Sequence, residues 1–432
     1  MRLAYITGEY PRATDTFIQR DIAALRRQGA EVFSFSIRKT DDKHMVGREQ
    51  REERARTFYV LAAANPIALL LAQVILFFQS PARYIRAVAL ALELRQAGMK
   101  GSLYSLFYFL EAGILARQVQ KQKIDHLHNH IADSNGNVTL LAAALSGRSF
   151  SFSIQGPMIF FEAVHWRLNV KFREALFVRC ISHFCRSQCM IFTPPEQWHK
   201  LHLIHCGVEP ELFESVSHPA NRQNLIFVGR LAAVKGVPIL LESMAQLKQT
   251  NPNARLTLVG DGPERPTLEK MALELGVTDV VDFVGYKSQS EVRDYLQRSD
   301  VFVLPTFAEG LPIVFMEALA AGVPVVSTQI AGHSDLVEQG KSGYLVSPGD
   351  KTSLTAALKT LLDSPELRRQ FATAGREKIR TEFDIDHEVG LLFQVMKMRL
   401  QGGRPEIRPT KAMSGRSSEA ERPTPIATQI AA

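Results

Sequence analysis

Two cations and two carboxylates in the second half of the chain have the types and spacing to handle a phosphorylated substrate. Arg230 and Lys235 follow the short apolar run Leu225-Ile-Phe-Val-Gly, which reads as a strand, and precede a helical pattern. The carboxyl end of a strand is where a doubly wound sheet holds phosphate, and two fixed cations there can neutralise a departing diphosphate without metal. A surface loop also carries Arg and Lys for solubility, so the pair alone leaves both readings open. Glu309 and Glu317 stand eight residues apart, the first at the mouth of a strand and the second about two turns into the next helix. Between them Gly310, Leu311 and Pro312 open that helix, and the N–H groups of Gly310 and Leu311 face an anion there. One carboxylate can then grip sugar hydroxyls and the other a ribose, although acids also collect at helix N-termini for dipole reasons. Val259-Gly260-Asp261-Gly262-Pro263 is a strand and a tight turn, as suited to a helix cap as to a nucleotide.

Other candidates carry less. His126, His128 and His130 alternate, so on a strand they share one face, as cleft-lining groups or metal ligands do. Cys180, Cys185, Cys189 and Cys206 lack C-x-x-C pairing and read as buried thiols. Asp384-Ile-Asp386 imitates a D-x-D metal motif, but it stands just before a helical pattern, where Asp is a good cap. No metal site is expected.

The elements that position these residues follow from apolar periodicity. In the second half, runs at 225–229, 255–259, 280–284, 301–304 and 323–327 alternate with helical patterns at 237–249, 264–275, 290–298 and 312–321. That alternation describes βαβ units and a parallel sheet covered on both faces. The first half opens the same way, with strands at 3–7 and 31–37 around a helix at 16–27. It resumes with strands at 124–128 and 150–154 around a helix at 134–146. The expected class is α/β, with two Rossmann-like domains in series. The first spans 1–205, with an apolar helical insertion at 57–122, and the second spans 206–385. A helix at 386–400 returns to the first domain, and 401–432, without apolar periodicity, is expected to be a disordered tail.

Composition narrows the class further. With 432 residues, 46% of them apolar, and ordinary Gly and Pro content, collagen-like and wholly disordered chains are excluded. Four cysteines cannot build a disulfide framework, and the N-terminal residues read as a core strand rather than a signal peptide, so a cytoplasmic location is expected. The net charge of +7 hides an asymmetry: residues 1–205 carry +10 and residues 206–400 carry −5. The first half therefore expects an anionic partner. Nucleic acid has only this charge in its favour, and no recognised module. A nicotinamide cofactor fails because the first strand leads into Gly8-Glu-Tyr-Pro-Arg-Ala, not G-x-G-x-x-G.

Residues 60–78 form a 19-residue stretch without a charge, just long enough to span a bilayer. A span here would put residues 1–59 across the membrane from the rest of their own sheet. The next helix starts at Ser80-Pro81 and sets Arg83, Arg86 and Arg95 beside Tyr84, Ile85, Val88 and Leu92. That mixture suits a monotopic contact with anionic lipid, or an insertion packed on the first domain. Peripheral binding to the inner membrane surface is the expectation.

Taken together and in order, G-R-x(4)-K-G, G-D-G-P, E-x(7)-E and Ala320-Ala-Gly-Val-Pro-Val-Val326 resemble the retaining glycosyltransferases of family 4, which have the GT-B fold of two Rossmann-like domains facing across a cleft. Thr14-Asp-Thr-Phe17, residues 180–188 and His205-Cys-Gly-Val-Glu209 are similar to the exopolysaccharide, colanic-acid-type branch. The resemblance covers nearly the whole chain. It implies a metal-independent transfer, with retention, from a nucleotide-sugar to a lipid-linked or growing cell-surface glycan. No further cofactor is implied, and a UDP-sugar is favoured over a GDP-sugar. The alternative is a catalytically silent glycosyltransferase-fold partner in a membrane polysaccharide-assembly complex.

The resemblance also implies roles. Arg230 and Lys235 would hold the diphosphate, Glu317 the ribose and Glu309 the transferred sugar. Gly310, Leu311 and Pro312 would support phosphate or sugar. Gly260 would lie on the nucleotide side, and the backbone at Gly285 and Tyr286 would read the base. Thr16, at the end of the loop 10–16, would face the acceptor with His128 and His130. One position departs from the family pattern: where Ser-Phe-Thr-x-His-Gly-Pro-Asp is usual, this chain has Ser151-Phe-Ser-Ile-Gln155-Gly-Pro-Met158. Gln155 can donate and accept hydrogen bonds but cannot carry a proton charge. It suffices if the usual histidine only positions the sugar, and not if that group must be cationic.

Overall fold

A computed structural model describes residues 1–12, 15–45, 47–213, 219 and 222–404. The tail expected at 401–432 therefore lies, beyond 404, outside the described residues, as do residues 13 and 14 of the loop at 10–16. The described residues form two all-parallel sheets. The first has the order β3-β2-β1-β4-β5-β6-β7: β1 (Arg2–Tyr10), β2 (Glu31–Lys39), β3 (Phe58–Tyr59), β4 (His126–His130), β5 (Ser149–Ile154), β6 (Val178–Cys180) and β7 (Leu201–Leu203). The second has the order β10-β9-β8-β11-β12-β13: β8 (Asn224–Val228), β9 (Arg255–Val259), β10 (Val281–Gly285), β11 (Val301–Leu304), β12 (Val325–Thr328) and β13 (Gly343–Val346). In each sheet the strand order reverses once, between β1 and β4 and between β8 and β11. A crevice opens beyond the carboxyl ends at such a reversal. Central strands such as β11 and β12 are buried throughout, as expected of strands covered on both faces.

The histidines of β4 meet the expectation only in part: His130 lines a pocket at the strand end, whereas His128 is enclosed within the sheet. All are fully buried, so His128 does not face a cleft. The cause is the two-residue period of β5, which runs Ser149-Phe-Ser-Phe-Ser-Ile and aims every serine at β4. His126 bonds Ser149 and Ser151 at 2.6 Å each, and His128 bonds Ser151 at 2.7 Å and Ser153 at 2.9 Å. The result is a satisfied polar ladder inside the sheet. Burial drives the His126 imidazole down to about 3 and holds His128 well below its usual value, so both are neutral. Among the described residues there is no cluster of three metal-ligating side chains.

The apolar stretch 60–78 is not one helix. Asn65 caps a new start by accepting from the Ala68 N–H at 2.9 Å, and Pro66 takes the first helical position. The Pro66–Gln79 helix has 14 residues, and no described helix is long and apolar enough to cross a membrane. It forms with Pro81–Glu93 and Gly98–Lys121 a helical layer on the first sheet. Gly98–Lys121 packs along Ser134–Ser146, the helix that follows β4.

The chain crosses between domains twice, at neighbouring places. Val208 pairs with Asp384, its N–H donating to Phe383 O at 3.0 Å while the Ile385 N–H returns to Val208 O at 2.9 Å. The Asp384 side chain then caps the last helix, Ile385–Leu400, by accepting from the His387 N–H. That helix lies on the first domain. Val389, Leu392, Val395 and Met396 share a core with Leu3, Ile22, Leu25 and Phe177, and Arg399 donates to Leu176 O at 2.6 Å. All four cysteines are buried and free.

Candidate functional site

The strand ends of the two sheets face each other across a cavity of about 540 Å³. On the second-domain side, β8 runs into Gly229 and Arg230, β9 into Gly260 and β10 ends at Gly285. These loops touch through backbone alone. The Gly260 N–H donates to Gly285 O at 2.9 Å, and a Cβ on Gly260 (φ +136°) would lie 1.9 Å from Gly229 O. A floor without side chains lets a ligand approach the main chain closely. Tyr286 stands beside it, 64% exposed, and lines the cavity with Arg230 and Lys235.

The loop after β11 supplies the acids. Glu309 forms an ion pair with Lys235, so the two oppositely charged groups expected at the donor hold each other. Arg230 is exposed and makes no ion pair among the described residues. Gly310 presses against the first domain, where a Cβ would meet Gln155 O at 2.0 Å; only glycine fits. The next helix, Ile313–Ala320, begins here, with the Pro312 carbonyl accepting from Phe315 N. The N–H groups of Gly310 and Leu311 donate to no acceptor among the described residues, which leaves them for a ligand. Glu317, on the same helix, lines the cavity but is 8% exposed and accepts from Arg20 of the first domain at 2.7 Å.

From the first domain come Thr16 and Gln155. Gln155 heads a buried chain of hydrogen bonds. Its Nε2 meets His130 Nδ1 at 3.0 Å, His130 Nε2 meets the Tyr5 hydroxyl at 2.7 Å, and that hydroxyl donates to Asp21 at 3.0 Å. Asp21 also accepts from the buried Arg179. Since Tyr5 donates onward to Asp21, it accepts from His130 Nε2–H, and His130 Nδ1 accepts from the Gln155 amide. Burial, which lowers the His130 pKa to about 4, keeps that imidazole neutral and consistent with this direction. Gln155 Oε1 is left as an acceptor on the cavity side. His130 therefore acts behind Gln155 in this cavity, and it lines the smaller pocket that adjoins it.

A second, smaller pocket of about 210 Å³ adjoins the first beyond the ends of β1, β2 and β4. Ile131 lines both, held at φ +67°, a strained conformation for a β-branched residue. The smaller pocket holds Arg38, Asp133 and Glu111, the last reaching in from the helical insertion. Thr7 Oγ1, Asn135 Oδ1 and Glu111 Oε2 are buried there without a hydrogen-bond partner among the described residues. Burial raises the Glu111 carboxyl to about 7, against the pull of Arg38. Periodicity did not mark this pocket. Its one sequence signal is that Glu111 is the sole acid in the 24 residues of its helix. Arg20 left no signal, because its partner is 297 residues away.

With this geometry in hand, comparison with known proteins is decisive for the second domain. Residues 208–378 match the family model described as glycosyl transferases group 1. Over that stretch the chain is similar to the group 1 glycosyltransferases. Over 193 residues it is 34% identical to the amylovoran biosynthesis glycosyltransferase AmsK of Erwinia amylovora, covering 43% of this chain and 47% of that protein. Over 210 residues it is 35% identical to the putative colanic acid biosynthesis glycosyltransferase WcaL of Escherichia coli K12, covering 46% and 52%. The matches thus span about half the length of these relatives. The described residues have the GT-B fold. The Anabaena HepE structure in complex with UDP matches with a TM-score of 0.70 at 17% identity, covering 92% of this chain and all of that one. Sucrose-phosphate synthase from Thermosynechococcus elongatus matches with 0.69 at 20% identity, covering 93% and 100%.

Proposed function

We propose that this glycosyltransferase-fold protein moves a sugar from a nucleotide-sugar to a growing or lipid-linked cell-surface glycan. The observation that carries the proposal is the donor end of the cavity. Arg230 and Lys235 stand at strand ends, opposite the unengaged N–H groups of Gly310 and Leu311, above a glycine floor. This is a diphosphate site built from cations and amides, and the leaving diphosphate needs its charge stabilised where those groups lie. Arrival of a diphosphate draws Lys235 away from Glu309 and frees that carboxylate for the sugar hydroxyls. Glu317, oriented by Arg20, keeps one oxygen for a ribose.

Retention belongs to the same proposal, with attack on the face that the diphosphate leaves. Among the described residues the carboxylates lining the cavity are Glu309 and Glu317, both on the donor domain, and the first domain presents the neutral Gln155. Among the described residues no first-domain carboxylate lines this cavity to form a covalent intermediate. The acceptor hydroxyl then attacks on the face the diphosphate leaves, and the departing phosphate accepts its proton. Gln155 Oε1 holds a sugar hydroxyl during this step. The acceptor sugar occupies the smaller pocket, where Thr7, Asn135 and Glu111 offer unpaired polar atoms to hydroxyls. Uridine is favoured as the base, because the HepE structure of like fold was obtained with UDP. The expected site of action is the cytoplasmic face of the membrane, where such acceptors are displayed.

The test is a panel of UDP- and GDP-sugars scored by thermal stabilisation and calorimetry, since a ligand that binds only the folded state raises the melting temperature. A UDP-sugar should stabilise the protein and Lys235→Ala should abolish the effect. Absence of binding by every nucleotide in the panel would overturn the proposal.

A further inference from the structure

Large apolar side chains are exposed in one region far more than anywhere else. On Pro66–Gln79 the residues Ile67, Leu70, Leu71, Val74 and Phe78 stand one helical turn apart and point outward, with Ile67 79% and Phe78 78% exposed. The opposite face of that helix, through Ala72, Gln73 and Leu76, is already packed in the fold. Ile85, Val88 and Leu92 repeat the pattern on Pro81–Glu93, where Ala87, Leu90 and Ala91 are the buried stripe. Met99, Leu103, Leu106 and Phe107 repeat it on the first half of Gly98–Lys121. Three successive helices therefore each bury one apolar face and leave a second one bare, which a helix needing only its own core does not do.

Basic grooves border these stripes. One, of about 810 Å³, runs between Pro66–Gln79 and the end of Gly98–Lys121 and holds Arg83, Arg117 and Lys121 beside the exposed Leu71. Arg83 also opens a second groove of about 600 Å³, which holds Arg86, Arg148, Arg173, Lys200 and Arg399. Among the described residues Glu174 is the one acid lining it, bonded to Arg86 and Arg173, and Arg173 also pairs with Glu93 at 2.6 Å. Arg148 is exposed and has no ion-pair partner among the described residues. Burial lowers the Lys200 pKa, and the nearby Arg399 charge adds to that.

We propose that the helical insertion is a monotopic docking surface for an anionic bilayer, with the apolar stripes entering the acyl boundary and the two basic grooves taking phosphate-bearing head groups. Charge complementarity selects this occupant over a second copy of the chain, which would bring an equally basic surface. The apolar and basic features are contiguous, because Arg83 sits on the same helix as Ile85 and Val88, and Leu71 lines the groove that Arg83 shares. Bilayer entry of apolar helical faces flanked by cations is the ordinary physics of interfacial helices. The docking stands independently of the sugar-transfer reading. If both hold, Gly98–Lys121 runs from the bilayer at Met99 to the acceptor-side pocket at Glu111, which would deliver a lipid-linked acceptor directly.

The test uses the full chain in flotation with phosphatidylglycerol vesicles, with phosphatidylcholine vesicles, and with inorganic phosphate as a competitor at low and high salt. Binding to phosphatidylglycerol well above phosphatidylcholine is expected. Arg148→Glu should weaken it by about tenfold. The double substitution of Ile67→Glu and Phe78→Glu should abolish the component that resists salt. Nucleotide-induced thermal stabilisation, measured on the same variants, should be unchanged. Equal binding to both vesicle types would overturn the proposal. So would a dimer in light scattering that the Ile67→Glu and Phe78→Glu changes dissolve, since the bare face would then be a self-interface. Saturable capture of free phosphate without vesicle binding would instead make the groove a site for a soluble anion.

Discussion

Arg20 of the first domain donates to Glu317 of the second across 2.7 Å, and both side chains are about nine-tenths buried. The bond joins the two halves of the GT-B fold behind the cavity, with further contacts where the His183 N–H donates to Asp335 at 2.8 Å and Gly310 meets Gln155. Removing Arg20 strands a buried carboxylate. Arg20→Ala should therefore cost about 1–3 kcal/mol of stability and loosen the domain closure. An earlier urea midpoint together with a larger radius of gyration in solution scattering is the expected outcome. If neither changes, the pair does not hold the domains.

Arg230 is exposed, and among the described residues Lys235 pairs only with the partly exposed Glu309, so their loss should separate activity from folding. Lys235→Ala and Arg230→Ala should each lower turnover by about 10²–10³, the usual cost of deleting a group that stabilises developing charge. The urea midpoint should stay near that of the parent protein. A comparable loss of turnover and of stability in either variant would mean that the residue is structural.

The sequence exposed the sheets because their strands are short apolar runs and their helices keep a 3.6-residue period. The helices Thr16–Arg27 and Ser134–Ser146 fall at the expected residues. Arg230, Lys235, Glu309 and Gly310 were legible because strand-end position dictates what a doubly wound fold can bind. His128 was misplaced, since alternation marks a shared face but does not say which way that face points. The serines that receive it lie on another strand, and only β-pairing brings Ser151 and Ser153 beside it. Arg20 and Glu111 were invisible for the same reason: their significance comes from partners that are distant in sequence. Hydropathy runs across 60–78, and the capping chemistry of Asn65 and Pro66 is what divides it into two helices.

Buried neutral histidines set the acid limit of stability. His130, His202 and His333 are each lowered to about 4 and His126 to about 3, burial being the leading cause in every case. An unfolded histidine takes up its proton near the usual 6.5, so between about pH 6.5 and 4 the unfolded chain binds more protons than the native one. Stability is fully present above pH 6.5 and is lost as pH falls through that window, by up to about 1.4 kcal/mol per unit for each histidine. Urea unfolding at pH 7.5 and pH 5 should differ by several such increments. Equal midpoints would show that these rings are not held neutral.

Glu111 works in the opposite sense. With its carboxyl raised to about 7 by burial, the native chain holds a proton that the unfolded chain has released above about 4.5. Its contribution is favourable below pH 4.5 and is lost as pH rises through 7. Glu111→Gln should therefore stabilise the protein at pH 8 by about 1–3 kcal/mol and have no effect at pH 4.5. The same change should weaken acceptor use, visible as a raised acceptor KM. Unchanged stability at pH 8 would place the carboxyl in water.

Gln155 offers the sharpest test of the buried hydrogen-bond chain. Its amide donates to a neutral His130, whose other nitrogen donates to Tyr5, whose hydroxyl donates to Asp21. Every link runs in one direction, so the residue at 155 must be a donor toward His130 and can be an acceptor toward the cavity. Gln155→His can satisfy the first requirement through a ring N–H, and turnover should be preserved or raised. Gln155→Glu cannot satisfy it, because a carboxylate facing an unprotonated nitrogen leaves two acceptors in contact until His130 gains a proton. That variant should lose most of its turnover at pH 8 and recover part of it toward pH 6, where the carboxylate draws a proton onto the ring. A glutamate variant with the parent pH profile would mean that the chain of donors does not run from Gln155 to Asp21.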